Sequence, residues 1–262
     1  MSIHDRYARL TPYELAFGDL DVARERFRGL EREARERGLD LAEPARLPAL
    51  GAAAVVLGEL GRDEAGPAEV RQRGLLLFHA FWLWRAGETL HLVGTDSARA
   101  VVEGRVPVER AGELPAAAGY VQLPQHLFWT EAPEGDAPES LDGFFWAAPG
   151  DGSRLFVLLV SGVRPDRPGF SVVPVPPSHL DEARVWLGAS MRPDAPDFES
   201  HMPGADLEGL YELRTAGEGL KLAAGVLALS VAEPPERLPP WGGEGPALPT
   251  PSRLPYGRLG RV

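Results

Sequence analysis

The sequence predicts an α+β fold: an N-terminal helical layer packed on a mainly antiparallel β-sheet, with a C-terminal helix and a Pro-rich tail. Three observations predict it. Up to residue 87 the apolar residues recur at helical spacing, with charged residues between them. Between 89 and 175 the period changes to short apolar runs separated by Pro/Gly turns. These runs follow one another without intervening helical stretches, which favours an antiparallel meander over βαβ units.

The helical part, 1–87, begins at Thr11, which reads as an N-cap with Pro12 at the first helical position and Glu14 three residues after the cap. Asp19 offers a second cap. The stretch 20–37 carries Val22, Phe27 and Leu30 among dense Arg and Glu, with Glu31–Arg35 and Glu33–Arg37 at i, i+4, and ends at Gly38. Residues 47–60 are apolar and predict a buried helix. The strongest helix spans 68–86. Its second half, from Leu75 to Trp84, is apolar nearly all round, which predicts a rod at the centre of the fold. Glu69 at its start, Arg85 near its end and Gly87 after it suit the helix dipole and a left-handed C-cap.

The β-rich part, 88–176, predicts strands at 89–93, 120–123, 127–130, 143–147, 155–160 and 170–175, with a short helix at 97–103 and a loop at 104–119. Pro149-Gly150-Asp151-Gly152 is a turn, and Pro174 assigns the last run to an edge or a strand end. A second helical part, 177–232, predicts helices at 180–187, 207–213 (capped by Asp206) and 220–231. Residues 1–232 thus read as one α+β domain. The remainder, 233–262, is rich in proline and reads as an extended tail without a core of its own, docked on the body or free.

Composition narrows the function classes. The chain has 262 residues, 44% of them hydrophobic and 25% charged, enough to bury a core without staples. It contains no cysteine, which excludes disulfides, thiolate metal sites and a Cys nucleophile. The net charge of −11 disfavours binding to phosphate backbones, so a nucleic-acid partner is not expected. Charges interrupt the first twenty residues, and the longest apolar runs are short of the roughly 20 residues a membrane span needs. A soluble, acidic, cytoplasmic protein with no membrane partner is expected. No phosphate-binding glycine loop, dinucleotide fingerprint, Gly-x-Ser-x-Gly elbow or His-Glu-x-x-His occurs, and neither a metal nor another cofactor is expected.

The candidate site residues cluster in two regions. In Gln122-Leu123-Pro124-Gln125-His126-Leu127-Phe128-Trp129, a proline between two strands can aim Gln122, Gln125 and His126 into a cleft walled by Trp129. His126 is a candidate acid–base because an imidazole titrates near 6.5, and Asp142 is the candidate carboxylate to orient it. Against this, both segments also read as ordinary turn chemistry. Arg164 is a candidate anion ligand beside the strands. His79 and His91 read as buried neutral histidines rather than a metal pair. In the tail, Trp241 and Tyr256 are candidate partner-binding aromatics among prolines and arginines.

Two functional readings follow. One is a non-catalytic protein-interaction or oligomer-subunit protein that uses aromatic and Pro-rich surfaces, with a protein partner or self-association. The alternative is a metal-independent enzyme or small-ligand binder with a site near Gln122, His126 and Asp142. The sequence leaves open whether the protein is an enzyme.

Overall fold

The computed structural model describes residues 6–60, 67–130, 139–163, 169–188, 211–213, 216–243 and 249–260. In chain order the elements are α1 (Pro12–Phe17), α2 (Leu20–Glu36), α3 (Gly51–Glu59), α4 (Pro67–Arg85), β1 (Leu90–Val93), α5 (Thr95–Val102), β2 (Ala118–Gln122), β3 (Phe128–Thr130), β4 (Glu139–Ala147), β5 (Arg154–Ser161), β6 (Ser171–His179), α6 (Ala183–Gly188), β7 (Tyr211–Leu213), α7 (Ala216–Ala232), β8 (Glu236–Leu238) and β9 (Tyr256–Leu259). The fold is α+β with a mainly antiparallel mixed sheet, as the change of period predicts.

Local chemistry sets the helix ends. Thr11 and Glu14 form the expected capping box, and Asp19 accepts the amides of Asp21 and Val22 at the start of α2. Gly38, Gly87 and Gly104 all have positive φ after a helix. In each case the following amide returns to a carbonyl five residues back, as Glu88 N–H does to Leu83 at 2.8 Å. Proline divides the 47–60 segment: Pro44–Ala49, with Pro48 inside it, is a 3-10 turn, and α3 starts only at Gly51. The N-cap residue of α3, Leu50, offers no side-chain acceptor. Instead Glu33 of α2 accepts the amides of Gly51 and Ala52, both at 2.9 Å, and these hydrogen bonds hold its carboxyl below the usual range.

The sheet runs β6-β5-β4-β2-β1-β9-β8, with β3 paired to the end of β4 and to β7. The β2-β4-β5-β6 portion is the antiparallel meander that the sequence predicts, whereas β1 lies parallel to both β2 and β9. Alternation along the strands feeds two cores. Tyr120, Phe145, Phe156 and Leu158 face α4 and the other N-terminal helices. Val121, Phe144, Trp146, Val157 and Leu159 face α5 and α7. The unbroken apolar run of β5 is explained by cover on both faces. Leu77, Phe78 and Phe81 of α4 are fully buried, which places the expected rod inside.

Three expectations differ from the structure. The C-terminal helix, which the sequence reading places in one layer with residues 1–87, covers the opposite face of the sheet. Of the helix expected at 207–213, residues 211–213 are strand β7, parallel to β3, and 207–210 lie outside the described residues. The Pro-rich segment 233–262 is not a separate tail. Its proline-free stretches supply β8 and β9, and β9 sits inside the sheet between β1 and β8. Prolines cannot donate to a ladder, and the ladders of this segment run through its proline-free stretches; Pro251 takes part only in an isolated bridge with Arg9. No helix among the described residues is long and apolar enough to cross a membrane.

Candidate functional site

The candidates 122 and 142 meet, but around a residue the sequence reading missed. Asp142 has no register partner on β5, because the β4–β5 ladder slips between Leu141 and Gly143. Such a bulge re-aims a side chain, and here the carboxylate is buried in the sheet, 4% exposed. Its Oδ1 accepts from Arg9 Nη2 at 3.0 Å, and its Oδ2 accepts from the Tyr120 hydroxyl at 2.5 Å. A Cβ at Gly143 would lie 2.8 Å from that hydroxyl and 2.0 Å from the Val121 carbonyl, so the position after the bulge requires glycine. Burial and the Asp142 charge push the Tyr120 phenol well above its usual range, so it is a neutral donor.

Gln122 completes the cluster by pairing with the backbone of Arg9. Its Oε1 accepts the Arg9 amide at 2.7 Å, and its Nε2 donates to the Arg9 carbonyl at 3.2 Å. Arg9 Nη2 also donates to the Leu123 carbonyl at 2.9 Å. The guanidinium is 3% exposed, and its Nε and Nη1 are shielded without a hydrogen-bond partner among the described residues.

His126 is not part of this cluster. It lies on an exposed turn with φ +61°, its amide donating to Ser140 Oγ, and it shares no hydrogen bond with Asp142. Its ring lies 5.8 Å from that of Trp129, whose indole donates to the His126 carbonyl. The proposed His126–Asp142 dyad therefore does not form: Asp142 faces Arg9 and Tyr120 from inside the sheet, while His126 faces outward. Gln125 lines a cavity of about 50 Å³ together with Arg9, Leu15, Val163 and Thr250. Arg164 lies outside the described residues.

A second concavity lies at the amino ends of β1 and β9. This groove has a volume of about 810 Å³. Its walls include Pro115, Pro234, Pro235, Pro255 and Tyr256, with His91 beneath them and Glu88 and Arg237 among its charged residues. Glu88 is spent within the protein, accepting from Arg24 at 2.6 and 2.9 Å and from Tyr13 at 3.0 Å. Arg237 is exposed and has no ion-pair partner among the described residues. Burial lowers His91 to about 4, and His79, on α4 against Phe145, to about 3, so both are neutral at pH 7. Of the two tail aromatics, Tyr256 lines the groove, whereas Trp241 packs on Tyr7 at 5.0 Å. Among the described residues no three His, Asp or Glu side chains are grouped to hold a metal ion.

No family model matches the chain, and no curated protein does either. Among solved structures, it is similar to a chain in the crystal structure of AcrVA2, with 14% identity and a TM-score of 0.42, over 86% of this chain and 69% of that one.

Proposed function

We propose that this chain is a non-catalytic interaction protein that seats an acidic segment of a partner protein in the groove at the amino ends of β1 and β9. The observation that carries this reading is the groove itself: about 810 Å³, walled by prolines and Tyr256 and edged by Arg237. Prolines give an apolar wall that loses little entropy when a partner docks. Arg237 is the one lining charge among the described residues without an ion-pair partner, because Glu88 is held by Arg24. On a chain of net charge −11, such a site selects a partner carrying carboxylates at the groove and repels highly acidic chains elsewhere. Strand addition is disfavoured at the neighbouring edge. β8 has only three residues, between Pro235 and Pro239, which leaves little ladder to extend.

The test is to pan the full chain against a random peptide library displayed on phage. Acid-containing apolar sequences should be enriched, and Arg237→Glu should weaken their binding by about tenfold, with a matching loss of salt dependence. No enrichment, or binding indifferent to both Arg237→Glu and Pro115→Arg, would overturn the reading.

A further inference from the structure

A row of three residues across the groove says which chemical group of the partner it receives, an inference that rests on the groove reading above. The ladders put His91 of β1 beside Gly257 of β9, and Gly257 beside Arg237 of β8. Residues paired in register point to the same face of a sheet, so His91 and Arg237 rise on either side of a residue with no side chain. Their backbones are two strand spacings apart, about 10 Å. A Cβ at Gly257 would stand 2.7 Å from Pro235 Cβ and 3.4 Å from His91 Cδ2, so glycine is what lets the proline wall and the imidazole approach each other. Arg237 is exposed and has no ion-pair partner among the described residues, so its long stem is free to carry the guanidinium toward His91.

His91 is 6% exposed and lines the groove, with the Trp146 ring 5.5 Å away on its inner side. The two ring nitrogens differ. Nδ1 is shielded from solvent and has no partner, whereas Nε2 is not shielded and makes no hydrogen bond among the described residues. The imidazole is neutral at pH 7, so one nitrogen donates and the other accepts. A proton on Nδ1 would be a buried N–H without an acceptor, which folded proteins rarely tolerate, while a proton on Nε2 can be accepted by whatever fills the groove. Nε2 is therefore the donor. Of the other polar side chains in the groove, Glu88 is held by Arg24 and Tyr13, and the Thr89 and Ser230 hydroxyls donate to the Ala86 and Val226 carbonyls. The side-chain donors left open belong to Arg237 and His91, one of them cationic. A carboxylate, which only accepts, matches both.

We infer that the row His91–Gly257–Arg237 is the seat for a carboxylate of the bound segment, with Arg237 supplying the charge and His91 Nε2–H a hydrogen bond from the groove floor.

Imidazole nitrogen resonances and peptide binding on the full chain test this. In the free protein His91 should carry its proton on Nε2. N-acetylglutamate should move the Nε2 resonance saturably, N-acetylglutamine should not, and the response should be lost in Arg237→Gln. Acid-containing peptides enriched on the chain should bind His91→Phe about tenfold more weakly, and the same peptides with the acid changed to its amide should not distinguish the two proteins. A proton on Nδ1, a Nε2 resonance indifferent to both N-acetylglutamate and the enriched peptides, or a response unchanged in Arg237→Gln would overturn the inference. Enriched peptides that bind while Nε2 stays indifferent would sink this seat and leave the groove reading standing. A response to N-acetylglutamate with no peptide enriched would keep the seat and remove the protein partner. The resonance measurement needs no change at His91, so it decides even if His91→Phe fails to fold.

Discussion

Arg9 and Asp142 stand 133 positions apart in the chain and meet at 3.0 Å, with 3% of each side chain exposed. The contact fastens the segment before α1 to the bulge in β4, and Gln122 and Tyr120 hold the two partners from β2. Removing one member of a buried pair leaves the other charge uncompensated, at a cost of about 3–5 kcal/mol. Asp142→Asn should therefore lower the unfolding free energy by that amount in urea titrations. The apolar replacement Arg9→Met with Asp142→Leu should cost clearly less than the sum of the two single changes. Additive losses would mean that the pair is not coupled.

A second prediction comes from a glycine facing a tryptophan across a ladder. Gly119 of β2 is in register with Trp146 of β4, and a Cβ at 119 would fall 2.0 Å from the indole. The ring fills the space a side chain would take, so Gly119→Ala overpacks a fully buried site. The expected loss is about 1–3 kcal/mol. Combining it with Trp146→Phe should recover part of that loss, because the smaller ring vacates the point of collision. Denaturation of the four variants gives the coupling directly, and a double mutant no better than the sum would show that the strain lies elsewhere.

Much of this architecture was legible in the chain. The apolar segment from Leu75 to Trp84 has to be inside, because no orientation of a helix could hide it otherwise, and α4 is buried accordingly. The runs at β4 and β5 are short, apolar and separated by a Pro/Gly turn, which fixes an antiparallel pair. The placement of β9 was not legible. Tyr256-Gly257-Arg258-Leu259 is too short to show a period, and its parallel pairing with β1 joins residues far apart in sequence. The site was half legible. Asp142, ahead of Gly143 and three aromatics, reads as the carboxylate of the site, and Gln122 lies in the neighbouring strand opposite Gly143. Nothing in the local pattern singles out Arg9 among so many arginines, whereas His126 is the histidine nearest to Gln122 in the chain and so reads as the acid–base partner.

Acid should weaken the fold through two histidines. Burial lowers His79 to about 3 and His91 to about 4 in the folded protein, against 6.5 for the free side chain. Between those values the unfolded chain takes up protons that the folded one refuses, so stability is complete above pH 6.5 and falls as the pH drops toward 4. The slope approaches about 1.4 kcal/mol per histidine per pH unit once the pH is well below 6.5. Glu33 and Asp151, whose carboxyls are held low by hydrogen bonds, lose their contribution only below the ordinary carboxylate range, so the window from pH 7 to 5 isolates the histidines. Urea titrations across it should show falling stability, and His91→Gln should remove its share of the slope. A flat profile would mean that one or both imidazoles are reached by water.

Glu14 ties the start of the chain to the end that enters the sheet. Its side chain is fully buried. Oε2 accepts from the Thr11 amide, the Thr11 hydroxyl and the Ser252 hydroxyl, at 2.9, 3.0 and 2.8 Å, and Oε1 accepts the Arg253 amide at 2.7 Å. The same carboxylate therefore serves the capping box of α1 and the turn leading into β9. Glu14→Gln keeps the shape but replaces one acceptor with an NH2 that faces donors, at a cost of about 1–3 kcal/mol. Thr11→Ala removes only the cap and should cost about 1 kcal/mol. The two are separated by hydrogen exchange. Because β9 pairs with β1 at His91, Leu92 and Val93, losing the Glu14 anchor should speed exchange along 252–259 and then along β1, whereas losing the cap should speed it only in α1. Protection of 252–259 that survives Glu14→Gln would mean that β9 is held by its ladder alone.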